Sequence, residues 1–248
     1  MPRISRMRRG LIATAAALTA GSAMVAVTTP PGPVYSGPGW KASTVRPLLS
    51  IHPDPYYIVF ADATARSILK PYFTGPAAQI TAITGVPVVV TDILDTTPVG
   101  TCPGRHRIIV TYEHQPMGVT AYSQARPCYS IADNSAWGGH VRMDSEYWEV
   151  PAWFSTNSTT NETYRKNLSA HELAHIFGLD HPNEDHDGDG TVERFECVKN
   201  AAGWTPTQCS PNGGDRSATG AGKYVADFDA KGLKQMADNY WLRQGITP

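Results

Sequence analysis

SAHELAHIFGLDHP, from Ser169 to Pro182, decides how the rest of the chain is read. In it His171, Glu172, His175, Gly178 and His181 stand at the spacing H-E-x-x-H-x-x-G-x-x-H. His171 and His175 are four residues apart, so on a helix they share a face and can turn both imidazoles toward one ion. Glu172 stands beside the first of them, where its carboxylate can take a proton from an ion-activated water without occupying a coordination position. A straight helix would carry His181 roughly 15 Å along its axis from His171, so the chain has to turn between them. Gly178 marks that turn, because glycine tolerates the left-handed conformation that commonly ends a helix. Three neutral imidazoles leave a fourth position open, which separates catalytic zinc sites from closed structural ones.

The elongated motif resembles that of the metzincin clan of zinc endopeptidases. The resemblance implies a metzincin-like fold and a zinc-dependent hydrolysis of peptide bonds, with Zn²⁺ on His171, His175 and His181, Glu172 as the general base, and a protein or peptide as substrate. Arg142 to Trp148, RMDSEYW, is loosely similar to the matrixin branch, in which an edge strand carries acidic calcium ligands and leads into a tryptophan. Asp144 and Glu146 hold the corresponding acidic positions. Arg142 stands where a matrixin has a histidine for its structural zinc, so that ion is not expected. Members of the clan also place a methionine in a turn beneath the zinc. Here none occurs between His181 and Met236, and Met236 falls at helical spacing with Leu233, Ala237 and Tyr240, as a core residue of a terminal helix similar to that of the family. The segment TQCSPNGG, Thr207 to Gly214, is expected in place of the methionine turn.

Composition leaves room for this. The chain has 248 residues, 41% of them hydrophobic, enough for one catalytic domain of about 200 residues with an ample core. A net charge of −1 speaks against strong attraction to nucleic acid or to an anionic membrane. The N-terminus, MPRISRMRRG followed by LIATAAALTAGSAMVAV, reads as a secretory signal peptide over residues 1–28, with an apolar run too short for stable membrane insertion. A secreted, extracellular monomer is expected. Residues 29–44, rich in Pro and Gly, read as a tether, and the domain spans 45–248. Four cysteines in an exported chain favour two disulfides. Of three connectivities, Cys102 with Cys128 and Cys197 with Cys209 is expected, since each pair is near in sequence and brackets a loop.

The elements read as an α/β (α+β) fold. Tyr56 to Ala61 is a buried strand, Ala63 to Thr84 a helical region that Pro76 should kink or divide, and Val86 to Ile93 and His106 to His114 are further strands. Gly138 to Trp148 reads as a fourth strand, at an edge where an extended peptide can add by strand pairing between about Gly138 and Glu146. The expected architecture is a mixed, mostly parallel twisted sheet with an active-site helix over about Glu162 to Phe177 and a C-terminal helix.

Asp185 to Glu196, DHDGDGTVERFE, follows the third histidine and has the spacing of an EF-hand calcium loop. Asp185, Asp187 and Asp189 supply hard oxygen ligands, Thr191 a backbone carbonyl, Glu193 a direct or water-mediated contact, and Glu196 two oxygens. Pro182 leaves no room for an entering helix, so a Ca²⁺ loop grafted beside the site is expected, with a short helix over about Glu193 to Ala202. Two other function classes fit the same residues. One is a secreted calcium-binding or adhesive module with a structural or vestigial zinc site; the other is a zinc hydrolase of a non-protein amide. Intact Glu172 speaks against the first, and a peptide-cleavage assay separates the second.

Overall fold

A computed structural model describes residues 32–248 apart from 45, 212, 215 and 216. The signal peptide expected over 1–28 lies outside the described residues. Nine strands and four helices follow in the order β1 Ser36–Gly37, β2 Trp40–Ala42, β3 Ser50–Ile51, β4 Tyr56–Phe60, α1 Ala63–Thr84, β5 Val88–Leu94, β6 Arg107–Glu113, β7 Gln124–Tyr129, β8 Ser135–Asp144, α2 Glu146–Glu149, α3 Ser158–Ile176, β9 Leu179–Asp180 and α4 Asp229–Leu242.

The main sheet runs β5, β4, β6, β8, with β3 beside the first residues of β8 and β7 on its other side. All its pairings are parallel except that of β7 with β8. The α/β reading with a mostly parallel sheet therefore holds. Strands β4 and β6 are apolar runs because both of their faces are covered, and Ile58, Phe60, Ile108 and Val110 are fully buried.

Helix α1 begins at Asp62, whose Oδ1 accepts from the Ala65 N–H at 2.8 Å, and ends at Gly85 with φ 75°. Neither Pro71 nor Pro76 divides it. Its buried stripe, Ala65, Leu69, Phe73, Ala77 and Ile80, packs on the sheet, and that contact overrides the missing proline N–H groups.

Three boundaries differ from the sequence reading. The tether of residues 29–44 is, over its described part, built into the domain: β1 and β2 form a hairpin, β2 pairs with β9, and Trp40 is buried. Asn239 of α4 ties that segment down, accepting from the Val34 N–H at 3.0 Å and donating to the Val34 carbonyl at 2.7 Å. The strand expected over Gly138 to Trp148 ends at Asp144, and Glu146 opens α2. Nor is β8 an edge: β7 pairs with it from Gln124 to Tyr129. That strand hides in the sequence because it carries Pro127, which an edge position tolerates and a central one does not. The helix expected over Glu193 to Ala202 is absent, its place taken by turns and irregular backbone.

The two disulfides are Cys102–Cys128 and Cys197–Cys209, as expected. Among the described residues no helix is long and apolar enough to cross a membrane.

Candidate metal centre

Helix α3 starts at Asn157, whose side chain accepts from the Thr160 N–H at 3.0 Å. Its second half is buried almost all round, with Leu168, Ser169, Ala170, His171, Glu172 and Leu173 all inside, rather than on one side only. The helix stops at Gly178, whose φ of 92° suits glycine. Space makes the same demand: a Cβ there would lie 2.6 Å from Met236 Cε and 3.1 Å from Leu48 Cβ. Met236, one of the buried residues of α4, thus supports the turn that brings His181 back. Gly178→Ala is expected to lower stability by about 1–3 kcal/mol through strained φ and overpacking, measured by urea unfolding. Met236→Ala added to it should recover part of that loss.

Strand β9 pairs with β2 and delivers His181 to the two helical histidines. The three Nε2 atoms stand 3.1 Å from one another in every pairing. Two of the other nitrogens are committed: His171 Nδ1 lies 2.8 Å from the Thr207 carbonyl and His175 Nδ1 2.6 Å from the Leu179 carbonyl. A carbonyl only accepts, so each Nδ1 carries the proton and each Nε2 presents a lone pair. Converging lone pairs repel unless a cation lies between them. Their spacing is close to the roughly 3.3 Å edge of a tetrahedron of imidazole nitrogens about 2.05 Å from zinc. Burial pushes the His175 imidazole down, and burial together with His175 pushes His181 down to about 4, so both keep the neutral, ligating form at pH 7. The donor set fits a divalent metal ion.

Glu172 is buried beside the triad, and burial pushes its carboxyl up to about 8, against the opposing pull of the Ala125 N–H. Ala125 belongs to β7, so the glutamate faces the edge strand. Both line a cleft of about 640 Å³ with His171, His175, His181 and Arg194.

Behind His171 lies the turn expected to replace the methionine turn. Thr207 supplies the carbonyl, and Gln208 Nε2 donates to the His171 carbonyl at 2.7 Å. Asp229, fully buried at the start of α4, holds this turn by accepting from the Thr207 N–H at 2.7 Å, the Thr207 hydroxyl at 2.8 Å and the Gln208 N–H at 3.0 Å. The sequence marks Thr207 and Gln208 as part of that turn but not their roles, and Asp229 does not stand out in it, because those roles are made by contacts across 36 or 37 residues to His171 and a further 21 or 22 to Asp229.

The acidic loop is folded as a compact turn. Asp185 accepts from the Gly188 N–H at 2.7 Å and the Gly190 N–H at 2.8 Å, and Glu196 from the Glu193 N–H at 2.8 Å. Carboxylate oxygens of Asp185, Asp187 and Glu196 come within 4.8 Å of one another, as do those of Asp187, Asp189 and Glu193. Thr191 is exposed, its N–H donated to Asp189 Oδ1 at 2.8 Å. The loop is tied to the turn behind His171 by Asn183, which accepts from the Ser210 N–H at 2.8 Å, and by the Cys197–Cys209 disulfide.

A scan against protein-family models finds no match, and a search of the curated proteins finds no relative.

Proposed function

We propose that the protein is a secreted zinc-dependent endopeptidase. The observation that carries this reading is the convergence of three imidazole Nε2 atoms, 3.1 Å apart, in an open cleft beside a buried carboxylate. Zinc held by His171, His175 and His181 would supply a Lewis acid and a nucleophilic water at neutral pH. Glu172 takes the proton of the attacking water and returns it to the leaving amine. The outer edge of β7 carries no strand among the described residues, so an extended peptide can pair with it alongside the triad. That edge replaces the one expected over Gly138 to Glu146. Export is supported by the basic and apolar N-terminal sequence and by the two disulfides.

Digestion of a mixed peptide library tests the reading. Cleavage should vanish when zinc is chelated and return when Zn²⁺ is added back; absence of cleavage by protein carrying one zinc at the triad overturns it.

In the same reading the loop from Asp185 to Glu196 holds Ca²⁺ and orders the segment after His181. A calcium-selective chelator should then lower the melting temperature and expose the loop to proteases, measured by calorimetry and limited proteolysis. Unchanged melting with no calcium bound would refute that role.

A further inference from the structure

A second group of metal-ligating side chains lies outside the cleft. His52 and Asp54 follow β3 and lead into β4, and His106 immediately precedes β6. Strands β4 and β6 are parallel neighbours, so their starts share one end of the sheet, where the Tyr57 N–H donates to the His106 carbonyl at 2.8 Å. None of the three residues lines the cleft of the histidine triad.

Asp54 Oδ2 stands 3.6 Å from His52 Nδ1 and 3.6 Å from His106 Nε2. Those distances are too long for hydrogen bonds and close to the roughly 3.4 Å between neighbouring ligand atoms around a four-coordinate zinc. His106 is 8% exposed, and both of its ring nitrogens are buried without a hydrogen-bond partner among the described residues. A buried polar atom left in that state costs about 1–3 kcal/mol and calls for an explanation. The backbone of His106 adds a second anomaly: its φ is 63°, in the left-handed region that non-glycine residues avoid. Such strain collects where a side chain must be aimed.

The other groups around the cluster are consistent with a cation. His52 Nδ1 accepts only a long hydrogen bond, 3.4 Å, from the Asp54 N–H, which a metal ion on that nitrogen's single lone pair would displace. Asp133 adds negative charge near His52, and Arg105, its guanidinium 5.6 Å from the centre of the Trp137 ring, adds an opposing positive one. Asp54 is exposed, leaving an entry path and room for water in a fourth position.

We propose that His52, Asp54 and His106 form a second divalent-metal site, for a borderline transition ion such as Zn²⁺, that clips the turn between β3 and β4 to the start of β6. Two imidazoles and one carboxylate favour this class of ion over calcium or magnesium, which take oxygen ligands. The site is independent of the proposed peptidase chemistry.

Tag-free mature protein is stripped of metal, titrated with Zn²⁺ in excess Ca²⁺, and its bound zinc counted after gel filtration. Two equivalents are expected in the wild type and one in each of Asp54→Ala and His52→Gln, with circular dichroism unchanged. Asp54 is on the surface, so its replacement leaves the core intact. His171→Ala distinguishes the two centres. If the wild type binds one zinc, lost in His171→Ala and kept in Asp54→Ala, the second site is overturned and the triad stands. If that one zinc is lost in Asp54→Ala and kept in His171→Ala, the second site stands and the triad reading fails. Two equivalents retained in both Asp54→Ala and His52→Gln also overturn the proposal.

Discussion

Glu172→Gln is expected to reduce peptide hydrolysis by about 10²–10⁴-fold, the usual range for a lost general acid and base, while the triad keeps its zinc. The amide fills the same space and replaces no ligand of the triad, so the loss should fall on kcat rather than on metal content. Zinc counting beside the kinetic assay separates the two, and full activity in the variant would remove Glu172 from the mechanism. A second readout needs no substrate. In metal-free protein the Glu172 carboxyl is pushed up from 4.5 to about 8, so it folds most readily protonated. Its contribution is fully present below pH 4.5 and is lost as the pH rises through 8. Glutamine carries no such charge, so the metal-free variant should melt above the wild type at pH 8–9, by an amount approaching roughly 4–5 kcal/mol at 1.36 kcal/mol per pKa unit. That advantage should shrink steadily as the pH is lowered toward 4.5. A difference independent of pH would show that the carboxyl is not held in a dry environment.

Asp229→Ala should have the largest effect on stability, about 3–5 kcal/mol, measured by denaturant unfolding. Its carboxylate accepts four hydrogen bonds, from the N–H and hydroxyl of Thr207, the Gln208 N–H and, at 3.0 Å, the Val225 N–H. Removing it leaves the three N–H donors buried and unpaired, while the Thr207 hydroxyl keeps the Lys223 carbonyl at 3.0 Å, and each unpaired group is worth about 1–3 kcal/mol before the turn relaxes. The effect should reach the metal centre, because the Thr207 carbonyl fixes which nitrogen of His171 carries the proton. Loss of a partner of this kind typically lowers metal affinity by 10–100-fold. The zinc dissociation constant of Asp229→Ala should rise by that factor even at temperatures where the variant is folded. Asp229→Asn should sit between the two proteins, since one of its terminal atoms remains an acceptor. Unchanged zinc affinity in folded Asp229→Ala would confine the residue to stability.

Much of this architecture is legible in the residues. The apolar runs around Ile58 and Ile109 mark parallel strands because burial on both faces demands side chains of that kind. Strand β7 was not legible, because QARPCY lacks alternation and its pairing with β8 is stabilised by a neighbour rather than by its own pattern. The hairpin of β1 and β2 is hidden for a similar reason: proline and glycine there suggest an unstructured tether, and only Trp40 and the grip of Asn239 on Val34 bring it into the domain. In α1 the prolines suggest a break that packing of Leu69, Phe73 and Ile80 prevents.

By itself the sequence determined the histidine triad, its neighbouring glutamate and the turn at Gly178, because helical periodicity and a single glycine set local geometry over eleven residues. It likewise determined the acidic loop, whose spacing is also local. Only the tertiary structure decided what holds the triad from behind, which strand forms the edge of the cleft, and that His52, Asp54 and His106 meet at all. Those features depend on residues that are distant along the chain and come together through sheet pairing and buried hydrogen bonds, which leave no periodic trace in the sequence.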